Sequence, residues 1–94
     1  MSAGDSDRTW CPRLAAKARL KADAVGGQEL LLFPEAALVL NETAAAIVRL
    51  CDGARGIDAI ADILAQRFDD RPPQAIGDEV RAFLLRLRER GLVE

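Results

Sequence analysis

The chain has 94 residues, enough for one domain with a single modest core. Half of the residues are hydrophobic, 30% are charged and the net charge is -2, a composition typical of globular proteins. Basic and acidic residues are spread over both halves of the chain, which gives no support for a nucleic-acid partner. No apolar run approaches the ~20 residues that cross a bilayer, and the polar, acid-containing start is not a signal peptide. We therefore expect a cytoplasmic protein without a membrane partner.

The side chains that usually carry catalysis or bind metals are scarce. The chain has no histidine, and Cys11 and Cys51 are its only cysteines. Zinc sites need four clustered nitrogen or sulfur ligands, and iron-sulfur sites need several thiolates. Without histidine, a general base near neutral pH would have to be a strongly perturbed carboxylate or lysine. We expect no metal, no cofactor, no catalytic residue and no enzymatic activity.

The first half of the domain carries the signals of β-strands. Apolar and basic residues alternate over 17–23, which indicates a half-buried strand. A Gly-Gly turn leads to a second strand over 29–33, so the two form a hairpin. Pro34-Glu35 interrupts that strand because proline cannot donate to a sheet ladder, and a third strand follows over 36–40.

The second half carries the signals of three helices. Asn41 is suited to cap the first helix, whose apolar face includes Cys51 and which Gly53 should end in the left-handed conformation. The second helix is predicted over 57–68. A polar linker with prolines then leads to a third helix over 76–90, ended by a glycine.

Three strands followed by three helices predict an α+β fold, a small winged helix-turn-helix domain. We place this domain in residues 12–94 and expect residues 1–11 to form a flexible N-terminus.

The third helix has a mixed flank beside its apolar stripe. Placing residues at 100° intervals puts four apolar residues on the core stripe, namely Ile76, Val80, Phe83 and Leu87. Leucines and arginines alternate immediately beside it, at Arg81, Leu84, Leu85 and Arg88. This flank either binds an amphipathic or acidic peptide or is a helix edge with snorkelling arginines.

The third strand has no charge on either face. A solvent-facing edge strand is normally protected by lysine, proline or a covering element. Residues 36–40 therefore form a central strand, or an edge that awaits a partner strand. In the second case, Ala37, Leu38, Val39 and Leu40 would meet a peptide added by β-augmentation beside the third helix. Such an edge can also pair with its own copy, so monomer and homodimer both stay open.

The helix-turn-helix order also raises the alternative of a DNA-binding regulator. The second helix, however, presents Asp58, Asp62 and Gln66 outward, and carboxylates are repelled by phosphates. We keep this alternative behind peptide binding.

Several short elements at matching spacings carry a resemblance to a known family. They include Pro34-Glu35, Leu40-Asn41 and Cys51-Asp52-Gly53, together with Phe83-Leu84 and Gly91. The chain resembles the pyrroloquinoline quinone biosynthesis protein D (PqqD) family of peptide chaperones, over about residues 12–93. One departure is Gly56, where a helix-capping Thr or Ser would be expected.

The resemblance implies a function by binding. Family members are recognition elements that hold the ribosomally made precursor peptide PqqA and present it to the radical S-adenosylmethionine (SAM) enzyme PqqE, in the biosynthesis of the cofactor PQQ. In related domains the leader peptide adds to the third strand and packs on the third helix. Similar domains serve other modified-peptide pathways, which is the alternative within this class.

Overall fold

A computed structural model describes residues 10–22 and 27–94. Three strands precede three helices along the chain: β1 (Arg19–Ala22), β2 (Glu29–Phe33), β3 (Ala36–Leu40), α1 (Glu42–Arg49), α2 (Ile57–Arg67) and α3 (Pro73–Glu89). This order confirms the predicted α+β fold. The end of the predicted first strand at Asp23, part of its turn and most of the predicted flexible terminus lie outside the described residues.

The three strands form one antiparallel sheet with β2 in the centre and β1 and β3 at the edges. Leu31 of β2 lies between Leu20 of β1 and Leu38 of β3 and is fully buried. This row marks the sheet face that packs on the helices. Because side chains alternate along a strand, the neighbouring rows face away from the helices.

The helices begin and end close to the predicted positions, with two corrections. Asn41 caps α1, and its side-chain oxygen accepts from the backbone N–H of Ala44 at 2.7 Å. The prediction that Gly53 ends this helix is wrong: Leu50 is the C-cap, and Gly53 takes its positive φ of 80° in the loop beyond it. The third helix begins at Pro73, three residues before the predicted start, because a proline fits the first helical turn, where its missing N–H is not needed.

The core lies between the inner face of the sheet and the three helices. It contains the whole predicted stripe of α3 and, in addition, Leu84. Cys51 is buried, as predicted, and its thiol donates to the Ile47 carbonyl at 3.3 Å. Within residues 10–22 and 27–94, no helix is long and apolar enough to cross a membrane.

Three extended segments tie the two ends of the domain together, and we call them the clamp: residues 12–15, 51–53 and 92–94. Arg13 and Glu94 exchange two backbone hydrogen bonds of 3.0 and 2.7 Å. Ala15 donates to Leu92 at 2.9 Å, and Gly53 donates to Pro12 at 2.9 Å. These backbone N–H and C=O groups of the clamp are therefore already hydrogen-bonded within the domain.

Candidate peptide-binding groove

The strand β3 has one paired side and one open side. It pairs with β2, and no other described strand lies beside it. Phe33 and Ala36 are partners across the two-residue Pro34-Glu35 loop, so they form a hydrogen-bonded pair. Hydrogen-bonded and non-bonded pairs then alternate along the ladder, which directs the N–H and C=O groups of Ala37 and Val39 outward. The edge thus offers hydrogen bonds to an added strand.

The helix α3 runs antiparallel to β3 and forms the facing wall. At one end, the Arg71 guanidinium donates to Glu79 of α3 and to Thr43, which follows shortly after β3, each at 2.7 Å. At the other end, the Arg90 guanidinium lies 5.6 Å from the centre of the Phe33 ring at the start of the β2–β3 turn. These two contacts lie near the two ends of α3 and link them to residues next to the two ends of β3.

A groove of about 240 Å³ lies between the strand and the helix. Its lining comes from β3 and the residue after it (Leu38, Val39, Leu40, Asn41), from α1 (Ala44, Ile47) and from α3 (Glu79, Phe83, Arg86). The side chains of successive strand residues point to opposite faces of the sheet. Because consecutive residues of β3 line the groove, the groove runs along the edge of the strand. The groove therefore combines the open backbone edge with an apolar floor.

The charges at the groove are unequal. Glu79 is paired with Arg71, whose side chain is itself only about a third exposed. The guanidinium of Arg86 lies 5.8 Å from the Phe83 ring, and no described carboxylate pairs with it. The groove thus presents an apolar centre, a compensated acid at one end and a cation toward the other. Such a lining suits an extended peptide with apolar side chains and an acidic group near Arg86.

Comparison with known proteins assigns the chain to a family. Residues 29–93, more than half of the chain, match the family model described as "Coenzyme PQQ synthesis protein D (PqqD)". The chain belongs to the PqqD family. This confirms the resemblance predicted from the sequence.

Relatives of this family match over most of the chain. The chain is 42% identical over 82 residues to the PqqA binding protein of Rhizobium meliloti (strain 1021), covering 87% of the chain and 83% of the relative. It is 39% identical to the PqqA binding protein of Rhodopseudomonas palustris (strain TIE-1), covering 99% and 87%. Among solved structures, it matches the PqqD truncation of Methylobacterium extorquens PqqCD with a TM-score of 0.74 and 34% identity, covering 88% and 87%.

In this member of the PqqD family, the predicted strand residues lie at the groove. Leu38, Val39 and Leu40 line it, and Ala37 lies on the same open edge. Val39 is 57% exposed, whereas Leu40 is buried. The expectation of an apolar edge beside the third helix is therefore met by the geometry, and contact of these residues with a peptide stays a prediction.

The predicted helix residues are not brought to the groove. Leu84 is fully buried in the core, so its placement on a binding flank is wrong. Arg88 lies on the opposite flank, where its guanidinium is 4.4 Å from the Trp10 ring. The residues Arg81 and Leu85 likewise do not line the groove. The strand β3 lies beside the other flank of α3, which is the flank that lines the groove.

The sequence-based reasoning missed the three α3 residues that line the groove. Glu79, Phe83 and Arg86 follow one another at steps of four and three, so they form one side of the helix. Phe83 belongs to the predicted core stripe, and in the structure it both joins the core and lines the groove. Helical periodicity locates the buried arc but does not tell which neighbouring element lies on each side of it.

The described part of the chain holds no group of three or more metal-ligating side chains.

Proposed function

We propose that this chain is a peptide chaperone of PQQ biosynthesis that acts by binding and has no catalytic activity of its own. It binds the precursor peptide PqqA in the groove and presents it to the radical SAM enzyme PqqE. The observation that carries the proposal is the open apolar edge of β3 facing α3 across the groove. The relatives named PqqA binding protein support the choice of peptide.

The mode of binding is strand addition. The outward backbone groups of Ala37 and Val39 supply hydrogen bonds that do not depend on the peptide sequence. The apolar floor and Arg86 supply selectivity, because they reward apolar and acidic side chains at fixed positions along the added strand. The solved relative described as "a functional and stand-alone" RiPP recognition element supports a domain that works without a fused enzyme.

A proline at the open edge tests this mode directly. Val39→Pro removes an outward N–H donor without removing a hydrogen bond to β2, and edge strands tolerate proline at such positions. Calorimetric titration with PqqA should show binding to the wild type and an affinity about tenfold weaker for Val39→Pro.

The matched control is Ala22→Pro on β1. By the same alternation, Ala22 directs its N–H outward at the other edge of the sheet. Its affinity for PqqA should equal that of the wild type, and circular dichroism should show both variants folded. Equal loss in both variants would contradict strand addition at β3.

Two alternatives are separated by the same titration and by a DNA gel-shift assay. The same module in another modified-peptide pathway would bind the precursor peptide encoded beside its gene and not PqqA. A DNA-binding regulator would produce a retarded band on mixed DNA at low salt. We expect no such band, because the exposed carboxylates of Asp58 and Asp62 on α2 repel phosphates. The monomeric or homodimeric state is read from light scattering of the same samples.

A further inference from the structure

The sheet face that points away from the helices is apolar in its centre and basic at one side. Its two cross-strand rows are Arg19–Leu32–Ala37 and Lys21–Leu30–Val39. We call these six residues the outer face. Leu30 and Leu32 are half-buried between their neighbours, whereas Ala37 and Val39 are exposed. An antiparallel sheet normally turns polar side chains outward, so an apolar centre here marks a contact surface.

The charges of the outer face have one sign. Arg19 and Lys21 are both exposed, and the six residues include no acid. A cavity of about 370 Å³ at the end of this face is lined by Lys17 and Arg19 together with Leu32, Phe33 and Pro34. A chain with a net charge of -2 thus places two cations, and no acid, in these two rows of its sheet. The face is complementary to an acidic surface.

The outer face continues into the peptide-binding edge. A peptide that pairs with β3 would become a fourth strand, and every second side chain of that strand would lie beside Ala37 and Val39. A protein that covers the outer face therefore reaches the bound peptide without displacing it from the groove.

We propose that the outer face is the docking surface for the enzyme that receives the peptide, through an acidic enzyme surface with an apolar centre. This inference rests on the proposed function, since it assumes that a peptide is handed to an enzyme. The cations of Arg19 and Lys21 steer and orient the enzyme, and Leu30, Leu32 and Val39 supply the desolvated centre. A second copy of the same face is a poor occupant, because it would bring like charges into one interface.

The test is a charge reversal on the outer face, measured against the enzyme and against the peptide separately. The variant is Arg19→Glu/Lys21→Glu, with Arg19→Gln/Lys21→Gln as a milder form that keeps the face neutral. The control, Arg55→Glu/Arg67→Glu, makes the same change of net charge outside the sheet. Binding of each variant to reconstituted PqqE is measured by interferometry at low and high salt, with and without saturating PqqA. Calorimetry measures PqqA affinity in each variant.

We expect the outer-face reversal to weaken PqqE binding by about tenfold at low salt, the neutral form to weaken it less, and the control to leave it unchanged. PqqA affinity should be the same in all variants. Unchanged PqqE binding in the outer-face reversal, or no PqqE binding to the wild type, would overturn the proposal. So would a wild-type dimer that the reversal dissociates, because a second copy would then cover the face. If the wild type did not bind PqqA, the proposed function would be rejected. The PqqE measurement would still test the docking surface.

Discussion

The clamp and the edge of β3 are both extended backbone, but they differ in how much of that backbone is already hydrogen-bonded. In the clamp, Arg13 and Glu94 pair in both directions, and Ala15 and Gly53 each donate to a neighbouring segment. At the β3 edge, Ala37 and Val39 direct their polar groups away from the sheet. One region closes the domain, whereas the other leaves bonds available for a partner.

Several of the residues that carry the family resemblance set the backbone of the domain, although Asn41 and Phe83 also line the groove. Pro34-Glu35 forms the two-residue turn, Asn41 caps α1, and Asp52-Gly53 belongs to the clamp. The residues that line the groove are mostly ordinary apolar side chains. Changes in the clamp should therefore alter stability without altering affinity, and changes at the groove should do the reverse.

The largest expected effect is a side chain that fills the groove. Ala44 lies on its floor, so Ala44→Phe places a ring in a cavity of about 240 Å³. We expect PqqA affinity to fall by about a hundredfold, or ~2.8 kcal/mol, in calorimetry. The control is Ala59→Phe, the same change at an exposed position of α2, which should keep wild-type affinity. Equal affinities of the two variants would place the peptide elsewhere.

The next effect separates the two flanks of α3. Arg86 lines the groove and Arg81 does not, and both are exposed arginines of one helix. Arg86→Glu should weaken PqqA binding by about tenfold, whereas Arg81→Glu should leave it unchanged. Calorimetry at two salt concentrations measures both. A larger loss of PqqA affinity in Arg81→Glu than in Arg86→Glu would instead support binding at the flank predicted from the sequence.

These two flanks also mark the limit of what the sequence could tell. The alternation over β1, the Pro-Glu turn and the Asn41 cap are local signals, and the structure confirms the elements that they predict, except that β1 begins at Arg19 and not at Lys17. Which flank of α3 faces β3 depends on contacts between distant residues, such as Arg71 with Thr43 and Glu79. No periodicity within the helix encodes those contacts. The early start of α3 has a simpler reason: proline predicts a helix boundary, yet it also suits the first helical turn.

A smaller effect is expected in the clamp. Gly53 has a φ of +80°, and an added Cβ would also lie 3.4 Å from the Arg13 side chain. Gly53→Ala should lower the free energy of unfolding by about 1–2 kcal/mol in urea titration, with PqqA affinity unchanged. Gly77→Ala is the matched control: it lies within α3, where an added Cβ meets only Ala61 at 4.0 Å. It should raise stability by about 0.5–1 kcal/mol. A loss of PqqA affinity in Gly53→Ala would contradict the claim that the clamp determines stability without affecting peptide binding.

The smallest effect concerns the thiol of Cys51, within the clamp. Burial, and secondarily the carboxylate of Asp52, raises the pKa of Cys51 from 9.0 to about 12. Because the folded pKa lies above the unfolded one, the associated stability is fully present below pH 9 and is lost as the pH rises toward 12. At pH 8, iodoacetamide should label the exposed Cys11 first and Cys51 only after denaturation. Mass spectrometry counts the labels, and rapid labelling of both thiols in the folded chain would contradict a closed clamp.

Amide hydrogen exchange of β3, followed by NMR with and without PqqA, tests the central claim most directly. Strand addition predicts that the amides of Ala37 and Val39 exchange quickly in the free chain and become strongly protected when the peptide binds. The amide of Leu38, already bonded to β2, should change little by comparison. Peptide binding that leaves Ala37 and Val39 unprotected would contradict strand addition at this edge.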